Sequence, residues 1–132
     1  MMLHKEELAK VYLEKAEQAI KSSKDSIYMQ NYETAQNRIY YAIFYSVMSL
    51  AYRNDFMTSK YKQLMGWFNK KFVYEEKIFN KEMSDIYKDT FAKRQKSDYE
   101  AIFIICKENL EETLNKAIFF VETVKKYMQK EV

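Results

Sequence analysis

Two short segments of the chain bring together residue types that can handle a phosphate. In Arg94-Gln95-Lys96-Ser97-Asp98-Tyr99 a guanidinium, an ammonium, a carboxylate and a phenol follow one another just after a helical stretch. In Asn37-Arg38-Ile39-Tyr40-Tyr41 a second guanidinium precedes two adjacent tyrosines. Guanidinium is always charged and grips phosphate oxygens bidentately. Lys60 and Lys62, Lys70 and Lys71, and Lys93 and Lys96 also interleave with Tyr61, Trp67 and Phe72. Two readings of that pattern stay open. Lysines can meet phosphates while exposed aromatics stack on bases, or they can form a solvated helix face whose stems cover apolar neighbours.

Each residue also has a structural reading. Arg94 and Asp98 lie four positions apart, so on a continuing helix they form a surface ion pair worth well under about 1 kcal/mol. Arg38 sits on an otherwise apolar helix and needs a partner or an exposed position, because an unpaired buried charge is costly; Asp98 is the candidate. Tyr40, Tyr41 and Tyr45 suit a core or an interface with one wet edge. Tyr99 is either a packed tyrosine or a hydroxyl that meets a ligand.

Other chemistries lack their residues. The single histidine, His4, sits near the N-terminus, so a histidine mechanism and histidine-based zinc sites are excluded. No Glu-x-x-His pair exists for a carboxylate di-iron centre, and no glycine-rich loop for a phosphate cradle. No metal site and no cofactor are expected. Cys106, the one cysteine, follows Ile104 and Ile105 and is expected to be a buried, inert thiol.

The elements that must position these groups are helices. With 132 residues the chain suits one domain with its own core. One glycine and no proline leave little material for hairpins, so long helices joined by polar turns are expected. A net charge of +3 is mild for a nucleic-acid binder. The lone cysteine fits a reducing compartment. Residues Met1 to Lys10 carry charges where a secretory signal needs an apolar core, and the longest apolar run, Ile39 to Tyr45, is too short to cross a bilayer. A cytoplasmic protein without a membrane segment is expected.

Apolar periodicity predicts a first helix from Lys5 to Ser23, with a break at Ser22-Ser23-Lys24-Asp25-Ser26. Asn31 is the predicted side-chain N-cap of a second helix reaching Tyr52 or Arg53. Only Ser46 and Ser49 interrupt the apolar and aromatic run from Ile39 to Tyr52, so this helix must be covered on several sides. Asn54-Asp55 marks the next turn. Thr58 or Ser59 caps a third helix carrying Tyr61, Leu64, Met65, Phe68 and Phe72. A fourth carries Phe79, Met83, Ile86, Tyr87 and Phe91 and ends near Arg94. Ala101 to Cys106 is a connector, and a last helix begins near Lys107. The fold class is all-α, an up-and-down bundle of four or five helices over residues 1–132.

Asn37-Arg38-x-Tyr40-Tyr41-Ala42-x-Phe44 resembles the second-helix signature of HEPN domains, in particular the small stand-alone prokaryotic branch. The resemblance continues through Ser59-Lys60, Phe68, Phe72-Val73, Arg94-x-x-x-Asp98-Tyr99 and Ala117-x-x-Phe120-Val121, and so covers nearly the whole chain. It implies a dimeric helical bundle whose arginine motif faces a cleft between subunits. It also implies a nucleotide- or RNA-binding module of a toxin–antitoxin or defence-type system, paired with a small nucleotidyltransferase. Many such proteins are metal-independent ribonucleases with a histidine separated from the arginine by four to six intervening residues. Here the window Tyr99 to Ala101 contains none. A tyrosine, with a reference pKa near 10, is a poor base at neutral pH, so a general acid–base gain of about a hundred- to ten-thousandfold is missing. On this resemblance the catalytic candidates are Arg94, Asp98 and Tyr99, and the nucleotide- or RNA-binding candidates are Arg38, Tyr41, Lys60 and Lys96. The alternative is a catalytically silent interaction protein in which the Arg-Asp-Tyr cluster is a structural clasp.

Overall fold

The computed structural model describes the backbone of residues 2–99 and 105–130 and the side chains of residues 4–96 and 105–130. Five α-helices run through these residues: α1 (Met2–Tyr28), α2 (Tyr32–Arg53), α3 (Tyr61–Phe68), α4 (Lys81–Tyr99) and α5 (Lys107–Lys130). A π-helical segment, Asn69–Glu75, continues α3 without a break. Its wider winding shows in the Glu76 N–H, which bonds the Lys71 carbonyl five residues back at 2.9 Å.

Helix α2 is the axis of the bundle, touching α1, α3, α4 and α5. It runs antiparallel to α1, as the ion pairs Lys5–Asp55 (2.8 Å) and Arg53–Glu6 (3.1 Å) require. It runs parallel to α5, because Arg53 near its end donates to the Met128 carbonyl at 3.0 Å while Ala42 clusters with Val121. Helix α4 runs opposite to α5, with Tyr87 against Phe120 and Lys93 bonded to Thr113 at 2.9 Å. The long helices thus alternate up, down, up, down, and α3 with its π-helical continuation spans the link from α2 to α4. Ile39, Tyr40, Ile43, Val47 and Leu50 of α2 are fully buried, as an almost wholly apolar helix demands.

The α1–α2 contact has a feature that hydrophobic periodicity does not bring out. Ala9, Ala16 and Ser23 on α1, and Ala35, Ala42 and Ser49 on α2, recur every seven residues, and all six are buried. The Ser49 hydroxyl donates to the Ala9 carbonyl on the facing helix at 2.6 Å. In that antiparallel register Ala16 faces Ala42 and Ser23 faces Ala35. Small side chains at a seven-residue repeat let two helix backbones approach closely.

Several expected boundaries move. The serine-rich stretch from Ser22 to Ser26 does not break α1. Ser23 is buried, and its hydroxyl bonds the Ala19 carbonyl of its own helix at 2.7 Å. The turn falls later, where Gln30 adopts φ 60°. There the Gln30 N–H bonds the Ile27 carbonyl and the Asn31 N–H bonds the Ser26 carbonyl, the Schellman pattern that closes a helix. Asn31 precedes α2 as expected, but its side chain makes no cap bond. Asp55 (φ 58°) ends α2 in the same pattern, with Asp55 N–H on Tyr52 and Phe56 N–H on Ala51. With one glycine in the chain, glutamine and aspartate take left-handed positions that usually fall to glycine.

Lys60, rather than Thr58 or Ser59, precedes α3. Thr58 still serves the turn, since its hydroxyl oxygen accepts the Lys60 N–H at 3.1 Å and it bonds the Gln63 side chain. Helix α4 does not end near Arg94 but runs to Tyr99, which places Arg94 inside the helix. Part of the connector predicted at Ala101 to Cys106 lies outside the described residues. Cys106 itself is exposed, not buried. It sits just before α5, and its thiol donates to the Glu108 carboxylate at 2.9 Å. No helix among the described residues is long and apolar enough to cross a membrane.

Candidate functional site

The middle of α2 and the first turn of α3 meet the C-terminal half of α4 in an aromatic cluster built around Arg94. The Arg94 guanidinium carbon lies 5.2 Å from the Tyr40 ring centroid, 5.4 Å from that of Tyr41 and 5.3 Å from that of Tyr61. The local sequence explains the arrangement. Tyr40 and Tyr41 are adjacent on α2, so they leave the helix about 100° apart and approach the arginine from different sides. Tyr61 opens α3 and packs edge-on against Phe44, one turn beyond Tyr40, at 5.1 Å between ring centroids. Phe91, nearly one turn before Arg94 on α4, supports Tyr40 at 5.9 Å.

Arg38 joins the cluster from the second turn of α2. Its guanidinium carbon lies 4.9 Å from the Tyr41 ring centroid, and its Nε and Nη2 both donate to the Asn37 side-chain oxygen, at 3.2 and 2.9 Å. One tyrosine ring therefore meets two guanidinium groups, one from α2 and one from α4. Both arginines are half-buried. Aromatic faces attract each cation, yet two cations around one ring also raise the local positive potential, which suits an anion with several acceptor oxygens.

The phenols are not bases. Burial pushes the Tyr41 hydroxyl above its ordinary value of 10.0; the hydrogen bond with Tyr61 adds to the rise, and Arg94 opposes it. That bond joins the two hydroxyl oxygens at 3.0 Å. Burial pushes Tyr40 higher still, again against Arg94. Near neutral pH both hydroxyls keep their protons and serve as donors and dipoles.

Of the residues singled out in the sequence, the structure brings Arg94, Arg38 and Tyr41 together. Lys60 is exposed and flanks the cluster through its neighbour Tyr61. Lys96 is exposed and, two residues beyond Arg94, lies about 200° around the helix axis, so the structure does not bring it to the cluster. Asp98 and Tyr99 continue α4, but their side chains lie outside the described residues. The partner of Arg38 among the described residues is Asn37, a near neighbour that sequence reasoning passed over. Tyr61 was legible only as an aromatic between two lysines; its place against Arg94 depends on how α3 folds back. No three of His, Cys, Asp or Glu gather as a metal site among the described residues.

Comparison with known proteins gives the family of the chain. The family model for the HEPN domain matches residues 9–127. A "UPF0332 protein" of Thermotoga maritima is 29% identical over 128 residues, covering 97% of this chain and 96% of that protein. A protein of Methanocaldococcus jannaschii carrying the name "Putative toxin" is 31% identical over 125 residues, covering 95% of this chain and 84% of that protein. The match spans the helices that build the arginine–tyrosine cluster, and the chain belongs to the HEPN domain family.

Proposed function

We propose that this chain is a toxin-like HEPN module that binds RNA or a nucleotide through Arg94, Arg38 and Tyr41. In this reading it acts as a homodimer with a nucleotidyltransferase protein as partner. The observation that carries the reading is the single tyrosine ring shared by two half-buried guanidinium groups. A phosphate at that ring meets two guanidinium charges at once, and the Tyr41 and Tyr61 hydroxyls supply neutral donors beside it. The toxin name of the Methanocaldococcus jannaschii relative supports the class.

If the site cleaves RNA, Arg94 carries the extra negative charge of the transition state, and Asp98 and Tyr99 orient the site. The reaction then needs no metal. The test is cleavage of a mixed RNA pool in chelator, with Arg94→Ala alongside and its fold checked by circular dichroism. Cleavage lost in a folded Arg94→Ala supports the enzyme. Intact RNA with binding that weakens at least tenfold in the variant supports a binding module. Neither cleavage nor binding by the wild type removes the proposal. Sedimentation showing a monomer at micromolar concentration removes the dimer, and a nucleotidyltransferase gene beside this one favours the partner.

A second reading rests on a specific contact. Arg94 on α4 touches rings from α2 and α3 together, so it can act as a clasp between three elements. In that case Arg94→Ala unfolds the protein and no RNA is bound or cut.

A further inference from the structure

A groove lies toward the other end of α4. Lys81, which opens that helix, and Arg94 are about 20 Å apart along the axis at 1.5 Å per residue. The end of the π-helical segment, the loop before α4 and the outer side of α5 enclose a hollow of about 610 Å³. Its floor is apolar, with Val73, Phe79 and Met83 nearly buried, while Tyr74 (53% exposed) and Phe119 (45% exposed) stand out from its walls. Lys77 and Lys81 stand at its edge. A second hollow of about 560 Å³ shares Ile78, Phe79 and Thr123 with the first and continues along α5 past Lys126 and Lys130.

Charge and shape select the occupant. No carboxylate lines either hollow among the described residues, although the chain carries 19 acidic residues. The four lysines are exposed, and none makes an ion pair with a described residue. An apolar trough edged by exposed lysines is complementary to a segment with apolar anchors along one side and carboxylates along the others. A second copy of this chain fits poorly, because a two-fold contact through this face sets one lysine edge against the other. Single-stranded RNA fits poorly too. It needs successive stacking platforms along a charged track, whereas the two exposed rings here, Tyr74 and Phe119, come from different elements and flank a floor of nearly buried apolar side chains. The volume falls within the range of about 300–1,000 Å³ typical of ligand pockets, enough for a few anchoring side chains.

We infer that the groove between the π-helical segment and α5 docks an acidic amphipathic segment of a partner protein. Leucine or aromatic anchors at helical spacing fill the hollow over Val73, Phe79 and Phe119, and flanking carboxylates reach Lys77, Lys81, Lys126 and Lys130. The mode is a helix laid into a groove, read by anchors three and four residues apart. It is independent of the arginine–tyrosine cluster.

The experiment uses the full chain, labelled with ¹⁵N, and a synthetic peptide with leucine and tryptophan at i, i+3, i+4 and i+7 and glutamate elsewhere. Three further probes are the same peptide with lysine for glutamate, the same peptide with serine for its apolar residues, and a uridine oligonucleotide. Amide shifts in Val73–Lys81 and Phe119–Lys130 with the acidic peptide alone are expected. Binding should weaken about tenfold or more in Lys77→Glu/Lys81→Glu, whose exposed positions leave folding intact. Phe119→Ser should weaken it without touching the charge. Equal binding of the lysine peptide, shifts elsewhere, stronger shifts with the oligonucleotide, or no shifts at all would each overturn the inference. Shifts that depend on protein concentration without peptide would assign the groove to a second copy and overturn it as well.

Discussion

The hydroxyl oxygens of Tyr41 on α2 and Tyr61 at the start of α3 lie 3.0 Å apart, within the aromatic cluster around Arg94. Tyr61→Phe keeps the ring and removes that bond. Water can reach the half-buried Tyr41 hydroxyl, so the cost in stability is about 0.5–1.5 kcal/mol. After burial, the Tyr61 bond is the next reason the Tyr41 hydroxyl is raised, so its ionisation moves to lower pH in the variant. A ¹³C NMR titration of the assigned Tyr41 ring reads this directly. The same Tyr41 titration in wild type and variant would mean the bond does not form in solution.

Tyr87 predicts how the fold fails in alkali. It is fully buried, and its hydroxyl has no hydrogen-bond partner among the described residues. Burial, then the proximity of Tyr40, pushes its pKa well above 10.0. The folded state therefore holds its proton more tightly than the unfolded state. The stability tied to that difference is whole below pH 10 and is lost as pH rises toward the folded value, by about 1.4 kcal/mol per unit for each such tyrosine. Tyr87→Phe should add about 1–3 kcal/mol at pH 7, since a buried unsatisfied hydroxyl is removed, and should flatten the alkaline decline. Urea midpoints at pH 7 and pH 10.5 test both parts. A loss of stability at pH 7 would mean that the hydroxyl has found a partner, such as a buried water.

The small-residue ladders of α1 and α2 should tolerate no added volume. Ala16→Leu inserts a branched side chain where the ladder register sets Ala42 opposite, and is expected to cost about 1–3 kcal/mol or more. Gln18→Leu, on the exposed side of the same helix, should change stability by no more than about 0.5 kcal/mol. Thermal unfolding of the two variants decides. Equal effects would mean that the helices do not approach closely at Ala16.

Cys106 should behave as a surface thiol. Its exposure and its bond to Glu108 predict full reaction with a thiol reagent in the native protein, at a rate close to that in denaturant. Cys106→Ser should leave stability within about 0.5 kcal/mol of wild type. A thiol that reacts only after unfolding would restore the buried reading that its isoleucine neighbours suggest.

That last residue shows where local sequence misleads. Ile104 and Ile105 argue for burial, yet a residue just ahead of a helix can face water whatever precedes it. The serines after Ile20 mislead in the same way. Hydroxyls that look like a break are satisfied inside α1, because Ser23 can bond the carbonyl of its own helix four residues back. Asn31 stands where a cap is expected, and its carbonyl accepts the Ala35 N–H, but its side chain makes no cap bond.

What the amino-acid sequence determined by itself was the helical class, the central place of α2, and the pairing in one family pattern of Arg38 and Tyr41 with Arg94. The first two follow from local rules, apolar periodicity and the scarcity of glycine and proline, and the third rests on the resemblance to the HEPN pattern. Only the tertiary structure decided that Tyr61 closes over Arg94, that Lys96 lies away from it, that Arg38 rests on Asn37 and the Tyr41 ring, and that α1 and α2 meet through alanine and serine. The Lys96 and Arg38 placements depend on α4 running past Arg94 and on the side-chain conformations that α2 holds. The Tyr61 and α1–α2 contacts depend on how one helix is rotated and displaced against another, and no window of neighbouring residues contains that packing.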